Sequence, residues 1–313
     1  TIDCGYLGLP EFAAAYLLVD GDEAAFVDNN TNHSVPTLLA ALADAGLAPE
    51  QVRYLIVTHV HLDHAGATSA MAKACPNATV LAHPRAARHI VDPSRLVDSA
   101  RGVYGAEKFA ALYVEIGPVA AERVREMDDE EQLAFGSRTL TFMHTRGHAN
   151  HHFCIADDKS NTVFTGDAFG LHYPALQHAG TFAFPSTSPT DFDAELARQS
   201  VRRIVDLAPD AVYPTHYGAV TDIRESAVQL IRHLDFAERV MIDAVASNHA
   251  DDALEAYIKP RLTDYFAGLF DRQGPMGGDV AAWALVNMVI DLNAHVISFA
   301  ASRHRRKVRE AKI

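Results

Sequence analysis

The segment "THVHLDHAGAT", Thr58 to Thr68, places His59, His61, Asp63 and His64 within six residues, directly after the apolar run "VRYLIV". Imidazole nitrogens and carboxylate oxygens together suit zinc, iron and manganese alike. The chain carries 17 histidines, so the stretch is either a site or a local excess. If the backbone stays extended, His59, His61 and Asp63 share one face and His64 takes the other. Four groups turned apart do not wrap one tetrahedral ion. They can supply halves of two neighbouring sites, His59 with His61 and Asp63 with His64, and each half then needs further ligands.

Candidates for those ligands stand where strands run into loops. His148 in "RGHA" follows "TLTFMHT", Asp167 in "GDAFG" follows "TVFT", and His216 in "THYG" follows "AVYPT". A rigid sheet holds such strand ends in place, and functional side chains collect there. The surrounding elements read as strands at "FAAAYLLVD" and "AAFVD", a helix at "SVPTLLAALADAG", the buried strand "VRYLIVT", a helix at "ATSAMAKAC" and a strand at "ATVLA". Residues 84–131 read as mostly helical, closing on an acidic loop. Strands return at "RTLTFMHT", "HHFCIAD" and "NTVFT", followed by the helix "TDFDAELARQSVRRIVDLA" and the strand "AVYPT". Two rounds of strands followed by helix are most economically satisfied by sheets packed between helices, an α/β fold. From 222 onward the text is helical apart from a loop at "DRQGPMGGD", so we expect a catalytic domain over 1–221 and a helical C-terminal extension over 222–313.

Composition narrows the function classes. With 49% apolar and 21% charged residues the chain can bury a large core. Its formal charge of −13 argues against a broad phosphate-binding surface, and the one basic run, "SRHRRKVREAK", reads as the frayed, solvated end of a helix. Cys4, Cys75 and Cys154 lie far apart and form no CxxC or CxxH pair, so neither a disulfide framework nor a thiolate zinc site is suggested, and a reducing, cytoplasmic compartment fits best. No apolar stretch is expected to reach the roughly 18 residues that a membrane span needs, and no signal-peptide pattern opens the chain. The first residue is Thr, so an upstream piece is expected. The expected partner is a small-molecule substrate, with neither nucleic acid nor membrane, and the apolar helix "WALVNMVIDLNAHVISF" serves core packing or a homodimer face.

In order and spacing, "THVHLDHAG", "TRGHA", "FTGDAFG" and "PTHYG" resemble the metal motifs of the metallo-β-lactamase superfamily. The resemblance runs from about Thr1 to Thr221 and implies an αββα sandwich with a C-terminal helical appendage. It also implies a dinuclear centre: His59, His61 and His148 on the first metal, Asp63, His64 and His216 on the second, and Asp167 bridging both. Two departures leave the ligands intact. Asn29 and Asn30 follow Asp28 where Thr-Gly or Pro-Gly is usual, and Arg146 replaces the proline before Gly147. An aspartate at 167 is uncommon among the antibiotic-hydrolysing members, so the closest likeness is to glyoxalase II-like hydrolases.

What the resemblance implies chemically is hydroxide attack on an ester, thioester or lactone carbonyl, with Asp63 orienting the nucleophile and passing its proton to the leaving group. No G-x-S-x-G or catalytic cysteine pattern competes with it. Zinc is the expected metal, with iron or manganese as alternatives. A di-iron redox or persulfide-oxidising enzyme, then a phosphodiesterase, are the other activities the motifs allow. Tyr217, and His172 with Tyr173, are candidates for substrate contact or for support of the ligands. His144, His151, His152 and His178 read as hydrogen-bonded neighbours of the site.

Overall fold

Side-chain alternation divides the buried residues into two layers. In the computed structural model Ala24 and Phe26 pack in one apolar cluster and Ala25 and Val27 in another, as the period of two along a strand requires. Residues 1–178, 180–188, 191–273 and 280–310 are described, with backbone only for 103, 104, 270–273, 280 and 281.

The first sheet takes its strands in chain order: β1 (Ile2–Asp3), β2 (Ala14–Asp20), β3 (Glu23–Val27), β4 (Val52–Val57), β5 (Thr79–Ala82) and β6 (Val124–Glu126). β1 to β3 are antiparallel and β3 to β6 parallel. Parallel neighbours need long crossovers. These are α1 (Val35–Asp44), α2 (Leu62–Ala65) with α3 (Thr68–Ala74), and then α4 (Pro84–Val91), α5 (Ser94–Tyr104) and α6 (Ala106–Tyr113). The second sheet holds β7 (Gln132–Phe135), β8 (Arg138–His144), β9 (Phe153–Asp157), β10 (Thr162–Gly166) and β11 (Ala211–Pro214), in the order β11-β10-β9-β8-β7. One core lies between the first sheet and its helices, where Phe26, Leu55, Val57 and Val80 meet Leu38, Leu42, Met71 and Ile90. The other lies between the sheets, where Val27, Ile56 and Leu81 meet Phe135, Phe142, Phe153 and Ile155.

Two compact units divide the chain. Thr1–Arg146, Asn150–Ala168 and Leu207–Thr221 form the first, which carries both sheets; Gly147–Ala149, Phe169–Asp206 and Asp222–Ile313 form the second. The helices after 222 thus group with 169–206, residues that the change of texture alone assigns to the catalytic part. The second unit contains α7 (Ala194–Asp206), α8 (Ile223–Ala246), α9 (Leu254–Gln273) and α10 (Val280–Glu310). On α8, Ile223, Ala227, Leu230, Leu234, Ala237, Val240 and Ala244 are buried, one face at helical spacing.

Four expectations change. β6 occupies the end of a stretch read as helix and acidic loop, β7 adds an alternating strand after it, and the two-residue β1 is too short for alternation to announce. The basic run at 302–312 is helical through Glu310, and Arg305 donates to the carbonyls of Ala244, Val245, Ser247 and His249, closing the end of α8 rather than fraying. α10 from Ala282 is long and apolar enough to cross a membrane, with 56% of its apolar window buried, as a core helix also shows. Of "DRQGPMGGD", residues 274–279 lie outside the described residues.

Candidate metal centre

β4 delivers Thr58 and His59 at its carboxyl end, and the chain then turns sharply. The extended reading fails after His61: residues Leu62–Ala65 form a helical turn in which His64 N and Ala65 N both donate to His61 O. A helix places successive side chains about 100° apart rather than opposite, so Asp63 and His64 point to neighbouring directions and still separate from His59 and His61.

Within the first unit six of the seven proposed ligands converge. His59 Nε2 lies 2.9 Å from His61 Nδ1, with ring centroids 4.5 Å apart. His64 Nε2 lies 3.3 Å from Asp167 Oδ1 and 3.7 Å from Asp63 Oδ2, and His216 Nε2 lies 3.4 Å from Asp63 Oδ2 and 3.8 Å from Asp167 Oδ1. Ligating atoms of His59, His64 and Asp167 fall within 4.8 Å of one another, as do those of Asp63, His64 and His216. His148 belongs to the second unit, where its ring bonds Ser186 O at 3.1 Å and its carbonyl accepts from the Ser188 hydroxyl. That first bond makes Nδ1 the protonated nitrogen and directs Nε2 to ligation.

A shell of hydrogen bonds orients the ligands. Asp28 accepts from Thr58 N and from His64 Nδ1, each at 2.9 Å, from the Thr58 hydroxyl, and from the Thr215 hydroxyl at 2.8 Å. Asp28 and Asn30 take φ of 56° and 55°, and Asn30 Nδ2 donates to Asp63 O at 2.8 Å. The unusual "DNN" therefore holds its turn, since Asn is among the residues that enter the left-handed region most readily. Arg146 bonds Asn150 Oδ1 across the loop that carries His148 in sequence. His216 donates from Nδ1 to Phe12 O at 2.7 Å. His152 accepts from Asp167 N at 3.1 Å and bonds the Thr145 hydroxyl at 2.8 Å. Gly166 has φ 49°, and a Cβ there would lie 2.5 Å from His152 Nε2 and 2.8 Å from the Thr58 hydroxyl, so only glycine fits immediately before Asp167.

Charge in this pocket is unbalanced toward the acidic side. Burial by itself pushes His64 down, but Asp167, Asp63 and Asp28 overcome it and hold the imidazole at about 10. Burial likewise penalises the Asp63 carboxylate, yet His64, His216 and His61 keep it well below the usual carboxylate range. His64 is the decisive group for a metal. It is fully buried, Asp28 claims its Nδ1, and its Nε2 has no hydrogen-bond partner while facing two carboxylates. A buried polar atom left this way is costly unless something else satisfies it, and a divalent cation fits both the donor set and the charge.

The remaining candidates part company. Tyr217 is in the first unit, its phenol pushed up to about 12 by burial and then by Asp3 and Glu11. His172 and Tyr173 lie in the second unit, both buried; His172 bonds Phe169 O and burial lowers it to about 4, so it is neutral. His151 stands beside the ligands, 5.5 Å from His61 by ring centroids. Composition and motif gave no sign of His83, whose ring is tilted against that of His144 with centroids 4.0 Å apart, nor of Phe12, which acts through its carbonyl.

The family model of the metallo-beta-lactamase superfamily matches residues 8–216. The metallo-beta-lactamase fold-containing protein ST1585 of Sulfurisphaera tokodaii is 24% identical over 268 residues, which span 83% of this chain and 94% of that one. A metallo-beta-lactamase family protein of Thermus thermophilus, TTHA1429, superposes with a TM-score of 0.63 at 19% identity, over 94% of this chain and 89% of that one. A nitric oxide reductase of Moorella thermoacetica is 30% identical over 159 residues, half of this chain and 34% of that protein. With a family match across both sheets and the four motifs at their strand ends, the chain belongs to the metallo-β-lactamase superfamily.

Proposed function

We propose that the protein is a dinuclear metal-dependent hydrolase that cleaves an ester, thioester or lactone, of the glyoxalase II-like kind. The observation that carries this reading is the buried His64 Nε2, which makes no hydrogen bond and faces the carboxylates of Asp63 and Asp167. His59, His61 and His148 would hold one ion, Asp63, His64 and His216 the other, and Asp167 would be shared. Two bound divalent ions, zinc by default and iron or manganese otherwise, supply Lewis acidity toward the carbonyl oxygen and a water of lowered pKa.

The protein's own groups supply orientation and proton transfer. Asp28, Phe12 O and Ser186 O each claim the Nδ1 of one ligand histidine, so that Nε2 presents its lone pair. Asp63 is the most accessible of the ligand carboxylates, its side chain 27% exposed against 4% for Asp167. Its carboxylate is therefore the group that can hold the nucleophilic water by its proton and hand that proton to the leaving group. The substrate is a small molecule, the setting a reducing cytoplasm in which all three buried cysteines stay thiols.

Metal analysis with a panel of thioesters, lactones and phosphodiesters tests the reading. About two ions per chain and hydrolysis of carbonyl substrates without oxygen are expected; His59→Ala with Asp167→Ala should abolish both, and retention of ions and activity would refute the assignment. The partial likeness to a nitric oxide reductase favours a second reading, an iron-loaded redox enzyme. Coloured protein that consumes oxygen or nitric oxide and hydrolyses nothing would establish that one instead.

A further inference from the structure

A short arc of aromatic side chains leaves the ligand cluster at His216 and returns to it at Leu62. The His216 ring lies edge-on to Phe12 with centroids 5.7 Å apart, and Tyr6 stacks on Phe12 at 6.1 Å. The Tyr6 hydroxyl is 3.3 Å from that of Tyr113. Tyr113 in turn packs with Val97, Phe109 and Leu62, and Leu62 sits between His61 and Asp63. One end of the arc thus touches a candidate ligand, and the other reaches the residue between two of them.

The outer side of the arc is apolar and strained. Leu7, next to Tyr6, and Val114, next to Tyr113, are 47% and 53% exposed, with φ of 58° and 61°. Single exposed apolar residues need no explanation. A β-branched residue at positive φ is an outlier, however, and such strain persists where the surroundings impose it, most often at functional sites. The charged residues within four positions of Leu7 or Val114 are Asp3, Glu11 and Glu115, all acidic. Those carboxylates disfavour an anion beside Leu7, Arg101 stands over the Phe109 ring at 5.1 Å on the other side of Tyr113, and an uncharged hydrocarbon is indifferent to both.

We propose that Tyr6, Leu7, Tyr113 and Val114 form the specificity-determining wall for an uncharged, apolar acyl group on the carbonyl substrate. The proposal rests on the hydrolase reading above, but its test separates the two. Zinc-loaded protein is titrated with the straight-chain carboxylates from acetate to octanoate by calorimetry, and assayed in parallel with the matching p-nitrophenyl esters. Affinity and kcat/KM should rise about two- to fourfold per methylene. Leu7→Ser and Val114→Gly should flatten that dependence, the octanoyl-to-acetyl ratio falling toward one in each. Tyr6→Phe should keep it, since the ring remains. Chain-length dependence of carboxylate binding without any ester hydrolysis would uphold the wall and overturn the hydrolase. Hydrolysis indifferent to chain length, or a slope unchanged in both surface variants, would overturn the wall.

Discussion

Replacing Asp28 by Asn tests whether the carboxylate beneath the cluster works by fixing a tautomer. In the native protein Asp28 Oδ2 accepts from His64 Nδ1 and the Thr215 hydroxyl, while Oδ1 accepts from Thr58 N. An asparagine that keeps its oxygen on Thr58 N turns its amide N–H toward His64 Nδ1. Two donors cannot face each other, so the imidazole must give up the Nδ1 proton and carry it on Nε2, the nitrogen meant for the metal. Losing such a partner of a ligand histidine costs about 10- to 100-fold in metal affinity, equivalent to about 1.4–2.7 kcal/mol. The variant should lose zinc to a chelator at correspondingly lower chelator concentration. Thr215→Val, which removes one bond and leaves the tautomer alone, should stay within about threefold. An Asp28→Asn protein that holds zinc within twofold of the wild type would refute the tautomer argument, because the carboxylate would then serve only to pack the loop.

Other consequences can be checked alongside. Gly166→Ala forces a Cβ against His152 and Thr58 in a left-handed backbone, and should destabilise the fold by about 2–4 kcal/mol, read as a fall in thermal midpoint by calorimetry. In the second unit burial, then Arg232, lowers His233 to about 4, where its ring bonds the Tyr265 hydroxyl at 2.7 Å. The folded state thus binds fewer protons than the unfolded state between about pH 4 and 6.5, so stability is full above 6.5 and falls as pH drops through that window. The loss attributable to His233 is about 2 kcal/mol at pH 5, and His233→Phe should flatten denaturant midpoints over this range; an unchanged slope would contradict the assignment.

Much of the centre was legible because metal ligation restricts residue type. His, Cys, Asp and Glu are the side chains that most often ligate such metals, so His59, His61, Asp63, His64, His148, Asp167 and His216 stood out before any geometry. The backbone that carries them was less legible. An extended strand through Asp63 and His64 was the natural reading of a segment leaving "VRYLIV", and the helical turn at Leu62–Ala65 arises from contacts that pattern cannot display, among them the donation of Asn30 to the Asp63 carbonyl. The two readings assign the ligands to the same halves for different reasons. Asp28 was noticed in its turn, but its role depends on Thr58 and Thr215, 30 and 187 positions away. Phe12 contributes a main-chain oxygen, which any residue possesses.

The same reasoning explains why substrate preference is harder to read than metal binding. A wall for a hydrocarbon requires only apolar area in the right place, and 49% of this chain is apolar. Leu7 and Val114 become noticeable through two things that no sequence pattern carries, a positive φ and exposure beside tyrosines that bridge two loops. Such features vary while the fold persists: relatives near 20% identity retain the fold over most of the chain, because both cores tolerate exchange of one apolar residue for another of similar volume. The candidate ligands have less freedom, since His64, His148 and His216 each keep Nδ1 on a fixed protein acceptor and so present Nε2. The chemistry is therefore set by the strand ends, and what it acts on by loops whose composition resembles that of any other surface.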